Sequence, residues 1–277
     1  MATWLGGALA EQQSQMPLEI WMEPFAGGAG AALTLLDRGA VDEVWLIDQN
    51  LGIAAFWKAV VEHGEEFARR VERTIPTMDL WEQSRAVIAD PATADPFDLG
   101  YATFIINRCS RSGIVSPTVG PMGGRAQAGE WTLGSRFTAD TLAGRIRHVA
   151  SFRSRMRVFH GDGISFIEDL GDSGVDDEVV MFVDPPYVRE GNRLYANGMD
   201  QDTHQRLAKA LNGTSARWVL TYDDEPIVSE AFYPQRRIIP YRIRNTANRA
   251  RIAREFAVFS DNFVLTELPP QAVAVAV

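Results

Sequence analysis

The chain has 277 residues, 46% of them hydrophobic and 23% charged, which describes an ordinary soluble globular protein with one large domain or a domain plus an insertion. Its single cysteine, Cys109, excludes an internal disulfide framework, and without a second cysteine or clustered histidines no metal site is predicted. Because no apolar run approaches the roughly 20 residues of a membrane helix and no signal core follows the N-terminus, we expect a cytoplasmic protein with no membrane partner.

The formal net charge of −9 argues against a uniformly basic nucleic-acid binder, but the basic residues are concentrated in two segments. Residues 101–160 hold nine arginines against Glu130 and Asp140, and residues 236–254 hold seven arginines and no acidic residue. Two basic segments on an acidic chain favour a local track for nucleic acid, whereas a set of solvated helix faces is the structural alternative.

The first predicted elements are a strand over 18–22, a turn over 23–30 and a helix over 31–36. A strand, a Gly-rich turn and a helix form the first unit of a Rossmann-like sheet, and glycine lets the backbone approach a ligand closely. The turn lacks the spacing and the flanking Lys-Ser/Thr of a phosphate loop. The next strand, over 41–47, ends in Asp48, where the Rossmann arrangement places an acid that accepts ribose hydroxyl protons.

Helices are predicted over 51–75, 101–109 and 140–149. Between the last two, glycine, proline, serine and arginine surround short β-like runs, which predicts a hairpin or wing outside the core. This segment holds Asn-Arg-Cys-Ser-Arg-Ser-Gly-Ile at 107–114 and a Gly-rich turn at 120–125. Its arginines suit phosphate and guanine, although a flexible surface loop is the structural alternative.

A strand ending at Asp162 returns the chain to the sheet, and a helix is predicted over 164–170. The apolar run 179–183 then predicts a strand buried on both faces, which Asp184-Pro185-Pro186-Tyr187 ends because proline cannot donate to a ladder. Open α/β sheets place their sites at such carboxyl ends. A carboxylate and proline-flanked carbonyls beside an aromatic ring suit a planar amine, since the acceptors hold its protons while the ring stacks on the heterocycle.

The remaining chain predicts a polar loop over 188–199, a helix over 202–211 and a strand over 218–224. A closing hairpin is predicted from strands 238–243 and 255–259 around an Arg-rich connection. The polar loop has the composition of a segment that closes on a nucleotide taken out of the base stack.

Asp184-Pro185-Pro186-Tyr187 resembles motif IV of the amino-methyltransferases that modify exocyclic amines of DNA bases. Glu-Pro-Phe-Ala-Gly-Gly-Ala-Gly at 23–30, Asp-Gln-Asn at 48–50 and the segment 107–114 are similar to motifs of the Dam-like (D12 class, alpha group) DNA adenine-N6 methyltransferases. The resemblance covers roughly residues 18–265. It implies an α/β, Rossmann-like S-adenosylmethionine-dependent methyltransferase fold, with a mixed, mostly parallel seven-stranded sheet and a helical and β-hairpin target-recognition insert.

The resemblance further implies a catalytic domain of residues 1–54 and 151–277 and a DNA-binding insert of residues 55–150. It implies S-adenosylmethionine as the cofactor, bound by Trp4, Glu23, Pro24, Phe25, Ala26, Gly27, Gly28, Gly30, Asp48, Asn50, Asp162 and Gly163. At the N-terminus the chain departs from the family's aromatic-x-Gly-Gly-Lys turn, because Ala8 stands where the lysine would be. Because alanine is uncharged, it cannot make the electrostatic contact that a lysine would make from this position.

Adenine flipped out of double-stranded DNA is the substrate that the resemblance implies, with Asp184, Pro185, Pro186 and Tyr187 as the catalytic residues. The implied DNA-binding residues are Arg108, Arg111, Ser112, Gly113, Arg125, Arg136, Asn192 and Tyr195. Two alternatives stay open: the same fold acting on another planar amine (cytosine N4, RNA adenine or a protein glutamine amide), or a catalytically degenerate DNA-binding subunit. The recognition sequence, the oligomeric state and a restriction or defence-system partner are equally open.

Overall fold

Seven strands form one sheet in the computed structural model, which describes residues 20–188, 199–245 and 251–264. The strands are β1 (Ile20–Glu23), β2 (Glu43–Asp48), β3 (Met156–His160), β4 (Val179–Val183), β5 (Arg217–Asp223), β6 (Arg237–Asn245) and β7 (Arg251–Phe259). Their order is β3-β2-β1-β4-β5-β7-β6. β1 pairs in parallel with β2 and β4, β4 pairs in parallel with β5, and β7 runs antiparallel to both β5 and β6. The predicted mixed, mostly parallel seven-stranded Rossmann-like sheet is confirmed.

The central strands are apolar because the sheet is covered on both faces. In β4 four of the five residues are buried, as predicted for the run 179–183. Its neighbour β5 contributes Trp218 and Tyr222, which are both fully buried. The central strands therefore form a rigid base for the side chains that follow their carboxyl ends.

Seven α-helices occur among the described residues. They are α1 (Gly30–Asp37), α2 (Leu51–Glu72), α3 (Met78–Ala89), α4 (Pro96–Cys109), α5 (Ala139–Ala150), α6 (Gly163–Ser173) and α7 (Gln201–Gly213). Within the part of the chain that the structure describes, none of these helices has the length and apolar character needed to cross a membrane.

A second compact unit spans Asn50–His160, which begins before and ends after the insert predicted over 55–150. Its core is aromatic: the Phe67 ring lies edge-on to the rings of Phe56 and Phe104 at centroid distances of 5.7 and 5.8 Å. Cys109 is buried in the same core, as expected for a packing residue. This unit thus has a hydrophobic core of its own.

Helix α3 was not predicted from the sequence. It begins at Met78 because the Thr77 side chain accepts a hydrogen bond from the Leu80 N–H at 3.1 Å. Trp81 and Ser84 form its buried stripe, and this stripe is too short and too polar to stand out between flanking prolines. Helix α4 also begins earlier than predicted, because Asp95 caps a first turn that opens with Pro96.

Two further segments differ from the sequence prediction. Instead of a hairpin or wing after α4, the structure has loops and short 3-10 turns with one isolated antiparallel bridge between Ser110 and Pro121. The closing hairpin is longer than predicted, since the β6–β7 pairing continues to Asn245 and Arg251. Much of the predicted Arg-rich connection is therefore strand.

Candidate active site

The strand order reverses between the adjacent strands β1 and β4. From β1 the chain continues outward to β2 and β3 on one side, and it then returns to β4 on the other side of β1. Open α/β sheets bind ligands at this switch point, outside the carboxyl ends of the strands. Glu23 ends β1, and Asp184 directly follows β4. The topology therefore brings together two motifs that lie about 160 residues apart in the chain.

The Gly-rich turn after β1 is held against the end of β2. The Gly27 N–H donates to Asp48 Oδ2 at 2.9 Å, and the Ala26 N–H donates to the Ile47 carbonyl at 2.9 Å. Gly27 has a φ of 46°, a left-handed conformation that favours glycine. Side chains added at Gly27, Gly28 or Gly30 would meet open space, so the turn presents bare backbone.

Glu23 is buried beneath this turn and joins it to α1. Its Oε1 accepts hydrogen bonds from Trp21 Nε1 at 2.9 Å and from the Ala32 N–H at 2.6 Å. The second bond satisfies a backbone donor in the first turn of α1, where a negative charge also interacts favourably with the helix dipole. The pKa of Glu23 is raised to about 7, chiefly by burial and to a smaller extent by the nearby Asp184 charge, although both hydrogen bonds lower it.

Replacing Glu23 with glutamine should stabilise the protein above neutral pH. The native pKa lies above the ordinary 4.5, so the native state retains a proton that the unfolded state loses, and stability falls as the pH rises from 4.5 to about 7. A shift of this size corresponds to about 3 kcal/mol. Urea unfolding should show the glutamine variant more stable at pH 8 and equal to the wild type near pH 5; a constant difference across this range would contradict the assignment.

The predicted pair Asp162 and Gly163 lies at the start of α6. Gly163 is pressed against the turn after β1, since a Cβ there would lie 1.9 Å from the Pro24 carbonyl oxygen. Asp162 caps the helix by accepting from the Ile164 N–H at 3.2 Å, and its Oδ2 pairs with Arg206 of α7 at 2.6 Å. Burial opposes ionisation of Asp162, but its bonds from Arg206 and Ser165 outweigh this and lower its pKa. Arg206 had no sequence signal.

Asn50 has a structural role at the start of α2. Its Oδ1 accepts from the Gly52 and Ile53 N–H groups at 2.9 and 3.2 Å, which makes it the helix N-cap. The predicted contact of Asn50 with a cofactor stays a prediction.

Asp184 is oriented by the neighbouring strand. Thr221 of β5, itself buried, donates its hydroxyl to Asp184 Oδ1 at 2.6 Å. The Asp184 side chain is exposed on one side and surrounded by protein on the others; this partial loss of water raises its pKa, while the Thr221 bond lowers it. The carboxyl is thus fixed in direction with one face left open to a ligand.

Tyr187 is partly buried, and its hydroxyl lies near the Glu255 carboxyl of β7, which helps to raise the pKa of the phenol. Tyr241 of β6 donates its hydroxyl to Glu255 Oε2 at 2.5 Å. Thr221, Tyr241 and Glu255 were not among the predicted site residues. The one available signal was a glutamate at the head of the otherwise apolar run 255–259.

Three arginines of the second unit lie close together. Burial lowers the pKa of Arg108, and the positive charges of Arg136 and Arg145 lower it further. Arg136 donates to the Asn107 carbonyl at 3.3 Å and to the Ser110 carbonyl, which ties it to the turn that follows α4. Two of the predicted DNA-binding arginines are therefore brought together, with Arg145 as an unpredicted third.

The other predicted DNA-binding residues are more dispersed. Arg111 is exposed, Gly113 has a φ of 69° and accepts from Asn107 Nδ2 at 2.7 Å, and Arg125 forms an ion pair with Glu82 at 2.8 Å. Trp4, Ala8, Asn192, Tyr195 and the side chain of Ser112 lie outside the described residues.

Three of the seven arginines in the second basic segment, residues 236–254, make contacts within the protein. Arg236 pairs with Asp261 at 2.7 Å, and Arg254 pairs with Asp224 at 2.9 Å. Arg237 donates to the Phe263 carbonyl at 2.6 Å. These three arginines stabilise the end of the sheet, so their number in the sequence overstates the charge available to a nucleic acid.

No protein-family model matches the chain, and a search of curated protein sequences gave no significant match. Among solved structures, it is similar to the rRNA methyltransferase AviRa from Streptomyces viridochromogenes, with 13% identity, a TM-score of 0.34, and coverage of 92% of this chain and 82% of that one. It is also similar to a Listeria monocytogenes protein described as a class I S-adenosylmethionine-dependent methyltransferase, with 12% identity, a TM-score of 0.37, and coverage of 98% and 62%. At these values neither similarity bears on cofactor or substrate.

Proposed function

We propose that the protein is an S-adenosylmethionine-dependent methyltransferase that modifies the N6 amine of adenine in double-stranded DNA. The observation that carries the proposal is the Asp184 carboxyl, oriented by Thr221 at the carboxyl end of β4 and followed by Pro185, Pro186 and Tyr187. Together they offer hydrogen-bond acceptors and an aromatic ring at the switch point of a Rossmann-like sheet.

The residues present fit the proposed cofactor. The pKa values of Glu23, Asp184 and Glu255 are all raised by burial and, for Glu23 and Glu255, by the neighbouring Asp184 charge, so the site favours a cation and disfavours phosphate. Bound S-adenosylmethionine would supply a methyl group on a positively charged sulfonium. The open backbone of Gly27 and Gly28 would accept its methionine part, which any Cβ there would obstruct.

Two acids would hold the other parts of the cofactor. Asp48, kept in place by the Gly27 N–H, would accept protons from the ribose hydroxyls. Asp162, at the end of the next strand of the sheet, would accept the exocyclic amine of the cofactor's adenine. Gly163 supports both roles because it lets α6 begin directly against Pro24.

The chemistry required of the protein is mainly positioning, because an aromatic amine is a poor nucleophile whose lone pair is delocalised into the ring. Hydrogen bonds from the amine to Asp184 and to the Pro185 carbonyl would localise that lone pair and direct it. The nitrogen would gain the methyl carbon as the bond from that carbon to the sulfonium sulfur breaks, and it would lose a proton that the Asp184 carboxylate can accept. Its raised pKa makes it a better base than a solvated aspartate.

Amine methylation is also favoured over methylation of a base carbon. The carbon reaction uses an activated thiolate that adds to the base. Burial raises the pKa of Cys109, the chain's single cysteine, to about 12. A thiolate nucleophile is therefore not supplied by this chain.

Nucleic acid as the substrate is supported by Arg108, Arg136 and Arg145. The charges of Arg136 and Arg145 both act on Arg108, which concentrates positive charge on a chain whose formal net charge is −9. Such a cluster suits phosphate oxygens, whereas a small-molecule amine would need no basic surface.

The test is transfer of a labelled methyl group from S-adenosylmethionine to unmethylated genomic DNA, with the product nucleosides resolved. The expected product is N6-methyldeoxyadenosine. Parallel reactions with single-stranded DNA and with RNA of the same base composition identify the preferred substrate. Label in N4-methylcytosine or in RNA would overturn the DNA adenine assignment, and cofactor binding without transfer to any substrate would favour a degenerate binding subunit.

A further inference from the structure

We propose that Glu255 and Tyr241, on the antiparallel β6–β7 hairpin, are positioning residues that hold the Tyr187 ring in the orientation in which it stacks on the target base. This inference rests on the proposed function, since it concerns how that site receives the amine. Neither residue belongs to the motifs on which the function is proposed.

The contacts form a small hydrogen-bonded system with Glu255 at its centre. Glu255 and Tyr241 are directly opposite each other in the β6–β7 register and are 5% and 4% exposed. Tyr241 donates its hydroxyl to Glu255 Oε2 at 2.5 Å, and Tyr187 is brought to the same carboxyl group because the next residue, Val188, is bonded to Asp223, which lies opposite Glu255. Two phenols on separate segments thus converge on one buried acid.

Two neighbouring contacts hold the C-terminal end of a segment that has no regular secondary structure. Residues 184–187 follow β4 without entering a helix or strand. Immediately after them, the Val188 N–H donates to Asp223 Oδ1 at 3.1 Å, which anchors the backbone. Glu255 holds the far end of the Tyr187 side chain, so the ring loses little further freedom when a base stacks on it.

The register of the sheet links this system to Asp184. In the β5–β7 pairing, Asp223 is opposite Glu255 and Thr221 is opposite Ala257. Thr221 orients Asp184, while Glu255 holds Tyr187. Alternate positions of one antiparallel pair, which share a face of the sheet, therefore orient the acceptor and the ring of the proposed site.

The electrostatics show why two hydroxyl donors are required. Burial raises the pKa of Glu255, and the charges of Asp184 and Asp223 raise it further, while the bonds from Tyr241 and Tyr187 lower it. Without those donors a buried acid so close to Asp184 would have few compensating contacts. The acid and the two phenols depend on one another as a unit.

The test is a double-mutant cycle of Tyr187→Phe and Glu255→Gln, measured as kcat and KM for DNA methylation. Glutamine is uncharged and replaces one acceptor oxygen of the carboxylate with an NH2 group, which only donates, while phenylalanine lacks the hydroxyl, so each single variant should lower kcat about tenfold. Because both changes remove the same proposed interaction, the double variant should be no slower than the slower single variant. Independent, multiplying losses or unchanged rates in the single variants would overturn the inference.

Tyr222→Phe is the matched control. It removes a buried hydroxyl on β5 that contacts His204 Nδ1 at 2.6 Å, outside the proposed system. This variant should reproduce any loss of stability that comes from removing a buried tyrosine hydroxyl, without lowering kcat. The dissociation constant for S-adenosylmethionine should be unchanged in Tyr187→Phe and in Tyr222→Phe, since these two variants keep every carboxyl group of the site.

A readout independent of catalysis separates this inference from the proposed function. With 3-fluorotyrosine in place of the six tyrosines, the fluorine resonance assigned to Tyr187 should shift in Glu255→Gln and in Tyr241→Phe, but not in Tyr222→Phe. An inactive wild type with this pattern would refute the function while keeping the contact. An active wild type without the shift would refute the positioning role.

Discussion

Replacing Asp184 with alanine should lower methyl transfer by roughly 100- to 1,000-fold, the usual effect of removing one preorganised polar group from an active site. The side chain is open to solvent on one side and carries a raised pKa, so its removal should change the free energy of unfolding by less than about 1 kcal/mol. The measurement is kcat with DNA together with a urea unfolding curve. Loss of activity in a folded variant is the expected combination.

The control for Asp184 is Asp261→Ala. Asp261 is also an aspartate, it is highly exposed, and it forms an ion pair with Arg236, so the change removes the same charge and the same side chain away from the proposed site. We expect the Asp261 variant to retain wild-type kcat. Full activity in the Asp184 variant would refute its role as the acceptor for the amine.

Replacing Gly163 with alanine should destabilise the protein by about 3 kcal/mol, at the upper end of the usual cost of overpacking. The added Cβ would lie 1.9 Å from the Pro24 carbonyl oxygen, and the atoms in the way belong to the backbone and to a rigid proline ring, which cannot turn aside. Either the turn after β1 or the start of α6 must move. The expected consequence is a lower melting temperature and, in the fraction that remains folded, weaker binding of S-adenosylmethionine.

Gly171→Ala is the control on the same helix. A Cβ at Gly171 would meet nothing within 4 Å, so this variant should be neutral or more stable by about 0.5–1 kcal/mol, because alanine favours the helical state. Opposite signs for the two substitutions would locate the effect at the Pro24 contact. Equal effects would show that the close approach does not limit stability.

The main parts of the site follow from local sequence together with one rule of topology. The apolar run 179–183 requires burial on both faces, and glycines after β1 mark a turn that approaches a ligand. Because the carboxyl ends of parallel strands meet at one edge, a reader of the sequence can place Asp48 beside Gly27 and Asp184 beside Glu23. Each of these inferences needs only the direction of a strand.

Contacts that depend on register or on surface charge pairing could not be read in this way. A shift of one residue in a β ladder turns every side chain to the other face, so the pairing of Glu255 with Tyr241 and its bond to Tyr187 had no local signature. Arginine composition likewise does not tell which guanidinium is already paired. Arg125 binds Glu82 and Arg206 binds Asp162, whereas Arg108 lies among positive charges.

Local sequence patterns therefore predict the class of sheet, the strand ends that carry the acids and glycines, and the chemical groups available there. These properties depend on hydrophobic pattern and on residue conformation, which act over a few residues. Only the tertiary structure decided that Thr221 orients Asp184, that Glu255 and Tyr241 hold Tyr187, and that Gly163 must lack a side chain. These depend on distances of a few ångströms between segments tens of residues apart, and such distances are set by how the whole core packs.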